Sequence, residues 1–238
     1  MNNQKVQTLA NRKRKLNELD GRTWERYSIS VWDIVKSKEE VKLGHPAMFP
    51  KELCQRLIEI YTKKGDVVFD PMMGSGSAII VARDMERKGI GFDINPDFVD
   101  LVRKRLSQQK LVQLDVEEPD IYCDDAVNLL KYIKPNSVDF VVTSPPYWNI
   151  HTRKRTADYK KPRPYSMLER DLGNITDFDE FMNELKSIFQ KVHTVLKNGK
   201  RCVIVVMDIR QGSQFFPFHI SISTVSYTHL RAHETGRN

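Results

Sequence analysis

The sequence predicts an α/β domain, a mostly parallel sheet with helices on both faces. Three observations predict it. Short runs rich in β-branched and aromatic residues, such as Val67-Val68-Phe69 and Phe140-Val141-Val142, alternate along the chain with amphipathic stretches at helical spacing. The runs lack a strong polar–apolar alternation, as strands covered on both faces do. A glycine turn, Gly74-Ser75-Gly76, joins one such run to the start of a helical stretch. A length of 238 residues suits one domain with an ample core, and the 40% hydrophobic and 29% charged fractions are those of a globular chain.

Taken in order, residues 1–42 are polar with scattered aromatics (Trp24, Tyr27, Trp32) and read as an N-terminal extension with a short helix over 16–24. The main α/β domain is expected over 43–224. His45-Pro46-Ala47-Met48-Phe49-Pro50 is a loop, and Pro50 suits the first turn of a helix over 51–62, where a missing N–H costs nothing. Leu53, Leu57, Ile58 and Tyr61 give that helix its apolar stripe. A strand over 66–69, the glycine turn and a helix over 77–87 follow. A strand over 89–93 leads through Asn95-Pro96 into a helix over 97–109, with Val99, Leu101, Val102 and Leu106 inward. Strand 120–123, a helical turn over 126–132 and strand 137–143 come next. A helix over 177–196 carries Phe178, Phe181, Leu185, Ile188, Phe189, Val192 and Leu196 at helical spacing; Asn198-Gly199 is expected to end it before a strand over 201–207. Residues 225–238 show no periodicity and resemble the translation of an adapter used in transposase-based sequencing libraries, so they are excluded from fold reasoning.

Composition narrows the partners. No apolar run reaches membrane-spanning length, and the polar start does not suit a signal peptide. Cys54, Cys123 and Cys202 are far apart without a CxxC pair and read as reduced, small buried residues of a cytoplasmic protein, not as metal ligands. The formal charge is +7 and unevenly spread. Between His151 and Tyr165, Arg153, Lys154, Arg155, Lys160, Lys161 and Arg163 face one acid, Asp158. Six cations interleaved with Tyr159 and Tyr165 are what contact with a phosphate backbone needs. The run Arg12-Lys13-Arg14-Lys15 is as well explained by a solvated surface.

Two segments carry chemistry. In Thr143-Ser144-Pro145-Pro146-Tyr147-Trp148 a strand stops at a small polar residue and meets two prolines and two aromatics. Proline fixes φ and donates no N–H, so the pair holds neighbouring carbonyls rigidly. A rigid carbonyl beside a hydroxyl accepts two hydrogens from one amino group, and the aromatics offer a face to a flat ring. The arrangement suits the exocyclic amine of a nucleobase. In Asp70-Pro71-Met72-Met73-Gly74-Ser75-Gly76-Ser77 the glycines allow close approach to a ligand at a helix start. A dinucleotide fingerprint would ask for Gly or Ala where Ile79 stands, and no Lys-Ser/Thr completes a P-loop. Asp93, ending the next strand, is suited to accept both hydroxyls of a ribose. Asp124 and Asp125 end the third strand on the same edge, where caps and loop solvation would also explain them.

These segments resemble the S-adenosylmethionine-dependent DNA amino-methyltransferases. Asp70–Ser77 is similar to their cofactor motif, Thr143–Trp148 to their catalytic motif, and His45–Pro50 to the loop over the cofactor's methionine end. The resemblance implies a seven-stranded Rossmann-like class I methyltransferase sheet, of which this chain supplies five strands and lacks the last two. It implies that His45, Pro46, Phe49, Asp70, Pro71, Gly74, Ser75 and Gly76 serve the methionine end, Asp93 the ribose, and Asp125 or Asp124 the adenine amine. It implies that Ser144, Pro145, Pro146 and Tyr147 hold a base flipped from double-stranded DNA, with Trp148 assisting and no metal required. Ser144, where Asp or Asn is common, leans toward N4 of cytosine over N6 of adenine. An RNA methyltransferase and a nucleic-acid-binding fragment without catalysis are the rival readings.

Overall fold

The computed structural model describes residues 16–42, 48–108, 117–152 and 164–230. Five parallel strands form the central sheet: β1 (Val67–Asp70), β2 (Lys88–Asp93), β3 (Asp120–Cys123), β4 (Val138–Thr143) and β5 (Leu196–Ile204), in the spatial order β3-β2-β1-β4-β5. The order reverses between β1 and β4, where Val68 pairs with Phe140 and Phe69 with Val141. Successive side chains point to opposite faces, so each strand serves two cores. Phe69 and Val141 face a cluster with Phe92, Leu129, Phe181, Leu185 and Phe189. Val68, Phe140 and Val142 face a second with Cys54, Ile58, Ala78 and Ala82. All six residues of β4 are buried, which explains why its apolar residues show no alternation with exposed polar ones.

The helices occupy both faces. α1 (Gly21–Tyr27), α2 (Lys38–Lys42) and α3 (Lys51–Tyr61) precede the sheet; α4 (Ser77–Asp84) and α5 (Pro96–Gln108) connect β1 to β2 and β2 to β3. α6 (Phe178–Val195) leads into β5, and α7 (Phe218–Leu230) packs on α6 through the buried Phe218 and Ile222. The first helix runs over Gly21–Tyr27 and not over 16–24 as expected, because Asp20 caps it, accepting from the Thr23 N–H at 2.9 Å. The described part of the extension is docked on α3. Asn17 donates to the Ile60 carbonyl at 2.7 Å, the Tyr27 hydroxyl to Glu59 at 2.8 Å, and the Arg56 guanidinium lies over the Tyr27 and Trp32 rings.

Three features differ from the sequence reading, one of them an expectation overturned. Asn198-Gly199 does not end a helix: α6 stops at Val195, and β5 begins at once with Leu196 opposite Val138. Asp139 is the physical reason. It is buried, accepts from the Val67 N–H at 3.1 Å, and draws in Lys197 (2.7 Å) and Lys200 (2.9 Å), pulling the segment after the helix alongside β4. Burial would raise the Asp139 carboxyl, but the two lysines and the N–H outweigh it and hold it below its ordinary value. The second feature, with no element expected there, is a hairpin, β6 (Ile209–Gln211) and β7 (Gln214–Phe216), turning on Gly212 at φ +59°. The third is that residues 225–230 continue α7, although the sequence shows no periodicity there. β5 stands at an edge of the sheet.

Gly76 tests the packing. It caps α4 at φ +73°, and a Cβ there would lie 2.5 Å from Val102 Cγ2 of α5. Gly199 has a similar φ of +74° with nothing within 4 Å. Gly76→Ala is therefore expected to cost roughly 2–4 kcal/mol and Gly199→Ala only about 1 kcal/mol, read as the difference in urea midpoint at constant slope.

Candidate active site

The carboxyl ends of β1, β2 and β4 meet where the strand order reverses, the position at which open α/β sheets bind ligands. A cleft of roughly 850 Å³, counted to its open mouth, lies there. Met48, Phe49, Ile94 and Phe98 supply apolar wall; Asp70, Asp93, Asp125 and Asp171 supply four carboxylates against one guanidinium, Arg170. Ser144 and Pro146 line the same cleft.

The glycine turn is held from behind. Met73 N–H donates to the Phe92 carbonyl at 2.8 Å, Gly76 N–H to the Met73 carbonyl at 2.8 Å, and buried Arg105 donates to the Ser75 carbonyl. Asp93 receives Gly74 N–H on one oxygen (2.8 Å) and Asn95 N–H on the other (2.9 Å), which leaves each oxygen capacity for another donor. Burial pushes the Asp93 carboxyl up to about 6, against the two N–H bonds and with Asp171 adding to the rise. Burial likewise pushes Asp70 up to about 7, although the Thr143 hydroxyl donates to it at 2.7 Å and Met72 N–H at 3.1 Å. A carboxylate raised in the folded state contributes stability below its unfolded value near 4 and loses it as pH climbs through 6 and 7. A cationic ligand reverses that penalty.

At the third strand the two acids separate. Asp125 lines the cleft, capping the following 3₁₀ turn through Val127 N–H (2.9 Å) and pairing with Arg170 at 3.1 Å. Asp124 lies outside the lining and is occupied by Asn128 (2.9 Å), Tyr132 (2.8 Å) and Asp125 N–H (2.7 Å). At β4 the Ser144 and Tyr147 hydroxyls lie 3.1 Å apart, while Pro145 and Tyr147 flank the cleft without lining it.

Trp148 corrects the sequence reading. It is buried at φ +48°, with Phe178 and Phe216 edge-on at 5.2 and 5.0 Å, so its ring belongs to the core and not to a nucleic-acid surface. Gly76 also departs from expectation: it packs on Val102 and does not line the cleft. Cys123 is exposed, since strand β3 ends the sheet on that side, whereas Cys54 is buried. His45 and Pro46 of the first motif lie outside the described residues, as do Arg153, Lys154, Arg155, Lys160, Lys161 and Arg163.

Several cleft residues carry no motif. Tyr165 lines it with its phenol pushed up by burial and by Tyr147, while its carbonyl accepts from Asn95 Nδ2 at 2.7 Å. Asp171 caps Gly173 at 2.8 Å and lies beside Arg170. These residues follow the basic stretch, and only folding brings them over β2. Among the described residues no helix is long and apolar enough to cross a membrane, and no group of three or more His, Cys, Asp or Glu gathers as a metal site.

A parallel sheet in this order, with a glycine turn after β1 and a half-buried acid ending β2, is of Rossmann type. A family model described as DNA methylase matches residues 1–104. The chain is 37% identical over 82 residues to the type II methyltransferase M.HpaI of Haemophilus parainfluenzae, covering 34% of this chain and 26% of that protein. It is 36% identical over 81 residues to M2.DpnII of Streptococcus pneumoniae (33% and 30% covered) and 32% over 104 residues to M.MthZI of Methanothermobacter thermautotrophicus (40% and 29%). The amino-terminal part of the chain is thus similar to the DNA amino-methyltransferases, and S-adenosylmethionine is the cofactor these similarities support. The matches span about a quarter to a third of those relatives' length, and the family model ends before Ser144.

The residues fit that cofactor. Four carboxylates against one arginine suit a ligand carrying a sulfonium and an ammonium, and the apolar wall suits a purine. The Ser77 hydroxyl is buried in the cleft lining without a hydrogen-bond partner. An unsatisfied buried hydroxyl costs about 1–3 kcal/mol, so Ser77→Ala is expected to hold or raise the ligand-free melting temperature while lowering S-adenosylmethionine affinity several-fold by calorimetry.

Proposed function

We propose that this chain carries the methyl-transfer site of an enzyme that methylates the exocyclic amino group of a flipped base in double-stranded DNA, N4 of cytosine favoured over N6 of adenine. The observation that carries the reading is that Asp93 and Ser144 line one continuous cleft. A ribose-binding acid and an amine-accepting loop share one space, as direct transfer between two bound groups requires.

On the cofactor side, Asp93 accepts the ribose hydroxyls, Asp125 the adenine amine, and Phe49, Gly74, Ser75 and Ser77 surround the methionine end. Asp70 and Pro71 hold the turn from below, and Asp124, engaged elsewhere, drops out of the assignment. When bound, S-adenosylmethionine supplies an electrophilic methyl group. Chemistry on an amine inside a duplex requires the base to leave the stack. Tyr147 stacks on the flipped ring, and the Ser144 hydroxyl and Pro145 carbonyl accept the two amino hydrogens. The nitrogen lone pair is thereby drawn out of ring conjugation and aimed into the cleft. Pro145 and Pro146 keep that carbonyl rigid, so positioning and fixed dipoles supply most of the rate. The proton becomes acidic once nitrogen gains its fourth bond, so no strong base is required. Ser144 in place of an acid or amide supports cytosine through the resemblance of its motif to the N4-cytosine members of the family.

Nucleoside mass spectrometry of host DNA after expression of the gene tests this. The expected product is N4-methylcytosine, lost with Ser144→Ala; N6-methyladenine as the sole product overturns the cytosine assignment, and methylation of RNA alone overturns DNA as substrate. Asp93 supports a second expectation. Its carboxyl sits near 6 without ligand, and a cationic ligand favours the ionised form. S-adenosylmethionine affinity is therefore expected to rise from pH 5 to 7 and level off above, and Asp93→Asn to flatten that profile and weaken binding at pH 7.5 about tenfold or more, by titration calorimetry.

A further inference from the structure

The β6–β7 hairpin has no part in the methyl-transfer site, and a two-stranded hairpin is marginal without support. This one is pinned to the loop that holds Ser144 and Tyr147. Gln211 Nε2 donates to Asn149 Oδ1 at 2.7 Å, and Asn149 is 1% exposed. Phe216 lies 5.0 Å from both the Trp148 and Phe178 rings, and Ile209, its cross-strand partner, is buried. The hairpin's inner face thus grips the two residues that follow Tyr147.

Its outer face is built differently. Arg210 and Phe215 are direct cross-strand partners, so both point away from the core. Arg210 is exposed and Phe215 is 56% exposed, a large aromatic left in water beside a guanidinium. The hairpin follows the carboxyl end of β5, the strand next to β4, on the edge where the cleft opens. The cation-rich stretch from Arg153 to Arg163 leaves the same anchor, four residues past Asn149.

We propose that the β6–β7 hairpin is a DNA-contacting ribbon, with Arg210 on the phosphate backbone and the Phe215 ring against the base step opened by flipping. This rests on the reading of the chain as a DNA amino-methyltransferase. A two-stranded ribbon fits a DNA groove, an arginine neutralises a phosphate, and an exposed apolar ring beside an extruded base fills the gap in the stack. The Gln211–Asn149 bond ties ribbon position to the loop that receives the base.

The test is duplex affinity of the 238-residue chain by fluorescence anisotropy with a labelled DNA duplex, across a salt series, with saturating S-adenosylmethionine. Arg210→Ala is expected to weaken binding at least about fivefold and to reduce the salt slope by about one; Phe215→Ala is expected to weaken it similarly with the slope unchanged. Lys104→Ala, an exposed cation on α5, is the control expected to match wild type. Cofactor affinity and melting temperature near wild type establish that each variant is folded, and Phe215→Leu, which keeps an apolar side chain without the ring, separates stacking from packing. Variants that bind duplex within twofold of wild type overturn the ribbon alone. A wild-type chain that binds cofactor and no duplex overturns the DNA substrate together with the ribbon. A self-associating chain that Phe215→Ala converts to monomer without loss of duplex affinity assigns the face to a second copy and also overturns it.

Discussion

The pairing of β4 beside β1 is the constraint on which the rest of the molecule depends. Chain order would put β4 beyond β3; the sheet instead returns it to the opposite side of β1. Two turns far apart in sequence then leave adjacent strands at one edge. The Thr143 hydroxyl, one residue before Ser144, donates to Asp70, the residue that opens the glycine turn. That 2.7 Å bond between fully buried groups joins the cofactor half to the base-binding half. It also explains a costly feature, a carboxyl buried at the centre of the domain, since a buried polar group persists only where it is hydrogen-bonded.

Electrostatics give the cleft its character. Asp70 and Asp93 are raised by burial and Asp139, across the sheet's other end, is lowered by its two lysines. The same residue type is thus a structural ion pair at one end of the sheet and an unpaired acid at the other. Asp139 has its charge neutralised within the fold, whereas Asp93 meets only backbone N–H groups and further acids. A site left with uncompensated negative charge is poised for a positively charged ligand, a property of the free protein that binding would relieve.

Much of this was legible in the residues. The strand–glycine turn–helix at Asp70–Ser77, the acid closing β2 and the Ser-Pro-Pro-Tyr after β4 were readable because each depends on local backbone chemistry. What misled was local chemistry with two uses. Trp148 looks like a stacking surface next to Tyr147, yet one rotation of the backbone to φ +48° turns it into the core against Phe216, which lies 68 residues later. Gly76 looks like room for a ligand, but Val102 fills that room. The hairpin has a local signal in the two-residue turn Gly212-Ser213, but it is flanked by Gln211 and Gln214 and its strands are only three residues long, too short for a readable alternation. The helix through residues 225–230 had no periodicity to find.

By itself the sequence determined the class of fold, the order of its elements and the two motifs whose chemistry is carried by backbone and side chain within a few residues of each other. Alternating apolar runs and glycine or proline turns act locally, so they can be read locally. Only the tertiary structure decided which of two adjacent acids faces the cleft, which aromatic is core, and that Tyr165, Arg170 and Asp171 stand opposite Asp93. Those assignments depend on which strands become neighbours. That choice is made by burial of β4 on both faces and by the Asp139 pairing that draws β5 beside it, interactions between residues distant along the chain.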